Sequence, residues 1–320
     1  MRKIGRYRKK KQKKILIIGS LSLLLFLCIG YAAFQTNLSI TAKGNIKEQT
    51  RVIQSWDANS QTDFHSDFYK QNIVSATFLD NNNVPSNAAE SWNVSEDKRH
   101  GGVMAWVIPN SNDNTKYDLY IGARGGVIAN EDSSYLFYLC TGIEEIDFND
   151  NFDTNNVVNM SYMFAGDWNQ NENSPIAMSL KEIKGLENWK TNALTNMLAM
   201  FHCCTNLTVL DLSSFDTSKV INMSHIFAEC YSLENIIGVE NLDTSKVTNF
   251  YAMFWNCSSI TNLNLCSFST ESATDIGGMF AGTLTLEHVY VGEKFKINDN
   301  TITHPLFDNS HISQVTTGQC

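Results

Sequence analysis

The sequence predicts an α/β fold built as a solenoid, in which each repeat of about 26 residues contributes a short helix and a strand. A string of 13 residues recurs five times without gaps, from FDTNNVVNMSYMF (152–164) to FSTESATDIGGMF (268–280). Apolar residues within the copies are spaced three to four apart, as on one face of a helix. Each copy is followed by an apolar LxxLxL pattern, which is typical of a half-buried strand.

The amino-terminal segment predicts export. Residues 1–14 contain nine of the 24 lysine and arginine residues and no acidic residue. They precede residues 15–34, an uncharged apolar run that as a helix would be roughly 30 Å long, enough to cross a bilayer. The basic residues place the amino terminus in the cytoplasm and the rest of the chain outside. Because Gly30, Ala32 and Ala33 also suit a signal peptidase, both an uncleaved membrane anchor and a cleaved signal peptide stay open.

The remainder of the chain is acidic, with 15 basic and 33 acidic residues after residue 14. Such a balance is unfavourable for contacts with a phosphate backbone, so nucleic-acid binding is excluded. The overall 43% hydrophobic and 18% charged content is that of a folded globular protein. We divide the chain into a basic head with a signal or transmembrane helix (1–34), a tether (35–50), an N-terminal cap domain (51–142), the repeat solenoid (143–295) and a C-terminal cap (296–320).

The N-terminal cap domain is predicted to be β-rich. Its strand-like segments are NIVSATFLD (72–80), GGVMAWVIP (101–109) and YDLYIGARGGVIAN (117–130). The last of these contains a glycine-rich hairpin turn. We expect this region to cover the first apolar face of the solenoid.

Within the repeats, a column of threonines precedes the apolar stripe, and the Asp-Thr-Ser around it predicts a helix N-cap. The copies start 37, 26, 27 and 26 residues apart, and the long spacing indicates an insertion at about 168–178. The threonine column consists of Thr154, Thr191, Thr217, Thr244 and Thr270.

The unit FDTSKV-NMS-MF--C-SL--LDLSS resembles the repeat of the BspA-type leucine-rich-repeat surface proteins of bacteria and some parasitic protists. The resemblance covers about residues 130–295. It implies a right-handed leucine-rich-repeat solenoid and a role in surface adhesion or protein binding. The chain departs from the pattern where the second copy opens with Trp189 and Lys190, and where the fifth has Thr283 in place of cysteine.

Recurring side chains are assigned structural roles. Cys204, Cys230 and Cys257 are predicted to be buried thiols, while a disulfide stays open for Cys203, Cys266 or Cys320. The asparagine column (Asn159, Asn196, Asn222, Asn249, with Asp275) is expected to satisfy backbone groups in turns. The stretch 147–156 has the polar spacing of a calcium loop but lacks its glycine and glutamate, so a polar turn is preferred.

No catalytic motif is present: the sequence lacks G-x-S-x-G, H-E-x-x-H and a P-loop. We therefore predict a protein that is not an enzyme and uses no cofactor or metal. The predicted function is to present the outward side of the strands to a protein partner, on a host or another cell surface. The residues assigned to this binding face are Asp147, Lys184, Asp211, Asn235, Ile237, Asn262, Asn264, His288 and Tyr290. The alternative is a glycan-binding module that uses Trp92, Trp106 and Tyr120 of the cap as stacking platforms.

Overall fold

The computed structural model describes residues 50–303, 306–308, 310 and 314–317. The basic head, the apolar run 15–34 and residues 35–49 of the predicted tether lie outside the described residues, so the predicted apolar helix is not among them. Over the described ranges, no helix combines the length and the apolar character needed to cross a bilayer.

The elements are short and mostly extended. One α-helix, α1 (Asp67–Asn72), occurs in the described part of the chain, with the Ser66 hydroxyl as its N-cap acceptor. Before the repeats lie β1 (Ile73–Leu79), β2 (Glu90–Asn93), β3 (Met104–Pro109), β4 (Tyr117–Gly122) and β5 (Val127–Ile128). The later strands are β6 (Glu145–Asp147), β7 (Phe152–Asp153), β8 (Asp167–Asn169), β9 (Ser174–Ile176), β10 (Glu182–Lys184), β11 (Val209–Asp211), β12 (Asn235–Ile237), β13 (Asn262–Leu265), β14 (His288–Val291) and β15 (Gln314–Thr317). Short 3₁₀ turns occupy Asp63–His65, Leu186–Asn188 and Val239–Asn241.

A six-stranded mixed sheet joins the segment before the repeats to the first repeats. Its strand order is β10-β6-β1-β4-β3-β2. β1 is parallel to β4 and to β6, whereas β3 is antiparallel to β4 and β2. Ile146 of β6 lies between Ala76 of β1 and Ile183 of β10. β6, the first strand of the solenoid region 143–295, is therefore an interior strand of this sheet, and one apolar core runs across the junction.

Later repeats place their strands side by side in parallel. β11 pairs with β12, and β13 pairs with β14, each in a register that matches equivalent residues of successive repeats. A second line of contacts runs through the asparagine column, where Asn159, Asn196, Asn222, Asn249 and Asp275 form successive parallel bridges. Each repeat is thus one coil that hydrogen-bonds to the next coil at two separate places.

The predicted helix-plus-strand solenoid of leucine-rich-repeat type is wrong. The segments predicted as helices are chains of turns, and α1 precedes all of the repeats. In the third copy, the amides of Met223, His225 and Phe227 donate to carbonyls of the next coil, at 3.0, 2.9 and 3.1 Å. In an α-helix those amides would donate to carbonyls four residues back in the same segment. The backbone amides of these segments therefore find their hydrogen-bond acceptors in the next coil.

Left-handed residues explain why no helix forms there. His225 has a φ of 56° and Glu229 a φ of 62°, and equivalent residues of the neighbouring coils, such as Ala199 and Cys203, share this conformation. A left-handed residue every four positions interrupts a right-handed helix. The intervening amides close tight turns, as Ala228 does to the His225 carbonyl at 3.0 Å. An apolar spacing of three to four suits such a coil as well as a helix, which is why the periodicity was misleading.

The core contains a single file of stacked phenylalanine rings. Successive ring centroids are 5.4 to 6.1 Å apart, and the ring planes differ by 3° to 22°. Except for the last ring, these side chains are fully or almost fully buried. Offset stacking of buried aromatic rings adds to the stability gained from burying their area. The file consists of Phe137, Phe164, Phe201, Phe227, Phe254, Phe280 and Phe307.

The threonine column links coils and does not cap helices. The Thr191 hydroxyl donates to the Asp216 carbonyl at 3.1 Å and accepts from the Asp216 amide at 2.7 Å. The Thr217 hydroxyl donates in the same way to the Asp243 carbonyl of the following coil. The buried threonines therefore replace missing backbone bonds at the point where one coil passes the next.

Candidate binding surfaces

The residues of the predicted binding face all lie at or near the surface, on β6 and β10 to β14. Strand register places several of them in direct pairs across neighbouring strands. The pairs are Lys184 with Asp147, Asp211 with Ile237, Asn262 with His288, and Asn264 with Tyr290; Asn235 pairs with Val209. These strands belong to three separate hydrogen-bonded sheets, so the structure joins the residues in pairs and not in one continuous ladder.

Two exposed apolar side chains lie in the middle of this face. Val209 of β11 is 47% exposed and Ile237 of β12 is 42% exposed, and the register makes them diagonal neighbours. Towards β6, Lys184 lies 2.6 Å from Glu145 and 3.4 Å from Glu182, so its charge is already paired. At the other end, the rings of His288 and Tyr290 stack with centroids 6.2 Å apart. The predicted binding face, which we call the strand face from here on, thus has an apolar centre and a polar rim.

The aromatic residues considered for glycan binding do not form one platform. Trp106 of β3 and Tyr120 of β4 are cross-strand partners whose rings stack at 5.9 Å. Trp92 of β2 pairs with Ala105, so it lies on the opposite face of the sheet from Trp106. Trp106 is also only 3% exposed, which leaves little of its ring available to a sugar.

The polar stretch 147–156 forms turns. Asp147 accepts a hydrogen bond from the Asn149 amide at 2.9 Å, and Asp153 accepts one from the Asn155 amide at 3.1 Å. Each carboxylate thereby closes its own local turn. Within the part of the chain that the structure describes, no group of three or more His, Cys, Asp or Glu side chains is placed to hold a metal ion.

The cysteine column is a set of buried thiols, as predicted. The thiols of Cys204, Cys230 and Cys257 each donate to the carbonyl of the stacked phenylalanine in the preceding coil, at 3.3, 3.1 and 3.1 Å. Burial raises the pKa of all three, which disfavours the reactive thiolate. Cys203 is also a free thiol, whereas Cys266 is disulfide-bonded.

A second surface lies along the left-handed turns. The insertion forms the hairpin β8–β9, and its Trp168 lines an open cavity of about 290 Å³ beside these turns, which we call the turn groove. This groove was not predicted, because its residues become neighbours only when the coils stack. The signal was the recurrence of aromatic residues and histidine three and six positions after the repeated asparagine: Tyr162 and His225 at the first position, His202 and Trp255 at the second. The polar and aromatic side chains that line it are Tyr162, Asp167, Trp168, His202, His225, Glu229, Trp255 and Asn256.

The imidazoles of the turn groove are held neutral. Burial, followed by the neighbouring His225, lowers the pKa of His202 to about 4, and burial lowers that of His225 as well. The Cys203 thiol lies 3.6 Å from His202 Nε2, and its pKa is raised by burial and then by the Glu229 carboxylate. A nucleophilic thiol needs the opposite environment, one that lowers its pKa. The adjacent cysteine and histidine therefore do not form an activated pair.

Together these features define a β-repeat protein whose coils stack in parallel and present two distinct surfaces, the strand face and the turn groove. The family model described as "Mycoplasma protein of unknown function, DUF285" matches residues 131–178 and 175–291, together half of the chain. The chain belongs to this family. No curated protein and no solved structure shows significant similarity to it.

Proposed function

We propose that this chain is an exported surface protein of BspA type, without enzymatic activity, that binds a protein partner through its strand face. Membership of the DUF285 family supports a surface protein, and the repeat motif FDTSKV…NMS…MF resembles that of BspA-type proteins. The basic segment 1–14 and the apolar run 15–34 support export. The working part of the chain is then displayed outside the membrane.

The observation that carries the proposal is the exposed pair Val209 and Ile237 at the centre of the strand face. Protein interfaces bury an apolar centre inside a polar rim. Here the rim is supplied by Asp211, Asn235 and Asn262, which are exposed on the same or neighbouring strands. A protein partner suits a row of exposed strand side chains better than a small molecule does, because small molecules are held in concave sites.

The location is tested by amino-terminal sequencing of the protein recovered from cells and from the medium. A start at Met1 in the membrane fraction identifies an anchored protein. A start near Ala33 in the medium identifies a secreted one. An intact chain that stays in the cytosol contradicts export altogether.

The binding face is tested by adding purified chain to candidate target cells and measuring bound protein by flow cytometry. We expect Val209→Asp together with Ile237→Asp to reduce binding at least tenfold. The matched control is Ile221→Asp, which changes an apolar side chain that is 51% exposed but lies outside the strand face. Equal binding by the two variants would place the contact elsewhere.

The same assay identifies the class of partner. Protease treatment of the target cells should abolish binding. Periodate oxidation of surface sugars should leave it unchanged. The reverse result would favour a glycan partner.

A further inference from the structure

We propose that the turn groove binds an organic cation, the guanidinium or ammonium group of an arginine or lysine side chain on a partner protein. This site is separate from the strand face and does not depend on the function proposed for that face. The inference rests on a buried carboxylate oxygen without a partner, on the absence of a charged base around it, and on the aromatic rings beside it.

The carboxylate belongs to Glu229, which is only 3% exposed although it lines the groove. Its Oε1 accepts a hydrogen bond from Asn256 Nδ2 at 2.9 Å. Its Oε2 is buried and has no hydrogen-bond partner. Burial, followed by a hydrogen bond from the Tyr231 hydroxyl to the Glu229 carboxylate, raises the pKa of that hydroxyl, and Oε2 is left without a partner of its own. A buried carboxylate is costly unless it is paired, so this oxygen is suited to receive a donor from a ligand.

The other groups that line the groove supply no positive charge. Asp167 adds a second carboxylate, whose two oxygens already accept from the Tyr138 hydroxyl at 2.6 Å and the Trp168 amide at 2.8 Å. His202 and His225 are held neutral near pH 7. Neither lysine nor arginine is among the described residues that line the groove. The groove therefore favours a cation, and Glu229 is the carboxylate of the two with an oxygen that accepts no hydrogen bond.

Aromatic rings determine which kind of cation fits. Tyr162, Trp168 and Trp255 line the same cavity, and Trp255 is 38% exposed. A weakly hydrated organic cation is attracted to the faces of such rings, most strongly to tryptophan. Guanidinium also offers several N–H donors in a planar fork that matches a carboxylate. A metal ion would instead require several oxygen, nitrogen or sulfur ligands, and no such group occurs in the described ranges.

A second cavity adjoins the turn groove and offers a contact surface to a partner protein that carries the cation. It has a volume of about 330 Å³ and shares Trp255 and Asn256 with the turn groove. Leu284, which is 52% exposed, and Asp308 lie along it. The two cavities adjoin at Trp255, so residues flanking the bound cation in a partner chain would have a surface to contact.

The test measures binding of small capped amino acids to the purified full chain by isothermal titration calorimetry. N-acetyl-arginine methylamide and N-acetyl-lysine methylamide are the cationic probes. N-acetyl-citrulline methylamide is the control, because citrulline keeps the shape of arginine and removes its charge. We expect the arginine probe to bind at least tenfold more tightly than the citrulline probe.

Substitutions assign the binding to the groove. Glu229→Gln should weaken the arginine probe at least tenfold, and Trp255→Ala should weaken it severalfold. The matched control is Glu234→Gln, an exposed glutamate outside the groove, which should leave the affinity unchanged. Circular dichroism melting shows whether the variants are folded. If Glu229→Gln is not folded, the affinity of Trp255→Ala for the arginine probe decides, because Trp255 is an exposed side chain.

Different experimental results would contradict different parts of the cation-binding proposal. Equal affinity for the arginine and citrulline probes, or no binding of either, overturns the proposal. Binding of methyl glycosides without binding of the arginine probe would assign the groove to a sugar and overturn it as well. Spermidine binding more tightly than an arginine-containing heptapeptide would overturn the assignment to a partner protein. None of these outcomes changes the cell-binding assay with Val209 and Ile237, so the two proposals fail separately.

Discussion

Thr244 and Ser269 exchange two hydrogen bonds across neighbouring coils. The Thr244 hydroxyl donates to the Ser269 carbonyl at 3.0 Å, and the Ser269 amide donates to the Thr244 hydroxyl at 2.8 Å. Both residues are buried. A single hydroxyl thus satisfies a donor and an acceptor of the backbone at a point where no strand pair is available, which explains why threonine recurs in this column.

We expect Thr244→Val to lower the free energy of unfolding by about 1–3 kcal/mol, because it leaves the Ser269 amide and carbonyl buried without partners. Guanidinium denaturation measures the change. Thr244→Ser keeps the hydroxyl and should cost less. Thr248→Val is the surface control, since Thr248 donates to the Ile221 carbonyl from an exposed position. Equal losses at Thr244 and Thr248 would show that the buried exchange has no special role.

We expect Phe227→Ala to lower the free energy of unfolding by about 3–5 kcal/mol, because it opens a cavity in the middle of the phenylalanine file. Phe227 is fully buried between Phe201 and Phe254. Phe307→Ala, at the end of the file and 40% exposed, should cost much less. The same denaturation experiment compares the two. A similar loss for both would mean that the file does not behave as a continuous core.

We expect the thiols of Cys204, Cys230 and Cys257 to resist alkylation in the folded protein, because all three are buried and burial raises their pKa. Iodoacetamide at pH 8 followed by peptide mass spectrometry measures the labelling. All three should be labelled rapidly in guanidinium. Rapid labelling of the native protein, or a peptide pair bridged through Cys230 and Cys257, would contradict the buried-thiol assignment.

We expect the stability to fall as the pH drops below about 6.5. Burial and the neighbouring His225 lower the pKa of His202 from 6.5 to about 4, so the unfolded chain binds a proton in this window that the folded chain does not. The free energy of unfolding therefore rises with pH between about 4 and 6.5, by at most about 3 kcal/mol for this group, and is flat for it above that range.

Denaturation at pH 5 and pH 7 measures this dependence. His202→Gln should reduce the difference between the two values. The carboxyl groups of Asp216 and Asp243, whose pKa values are lowered by hydrogen bonds to Ser218 and Ser245, act below pH 4 and so do not confound the comparison. An unchanged difference in the variant would show that His202 is not the group responsible.

Much of the architecture was predictable from the recurrence of residues. Because Phe164, Phe201 and Phe227 occupy the same position in successive copies, they are expected to stack, with the cysteine column buried beside them; both features are observed. The conformation of the segment between the asparagine and the cysteine was not predictable. Its apolar period fits a helix and a turn coil equally, and glycine occupies both left-handed positions in the fifth copy alone, at Gly278 and Gly282.

The sequence by itself determined the number of repeats, the residues that face inward and the acidic character of the chain after residue 14. It also located the strand-face residues on successive strands, although their binding role stays a prediction. Only the tertiary structure decided that the coils are turns and that Trp168, Glu229 and Trp255 meet in a groove. The physical reason is that side-chain burial follows from local periodicity, whereas these backbone amides and groove residues find their partners in a neighbouring coil about 26 residues away.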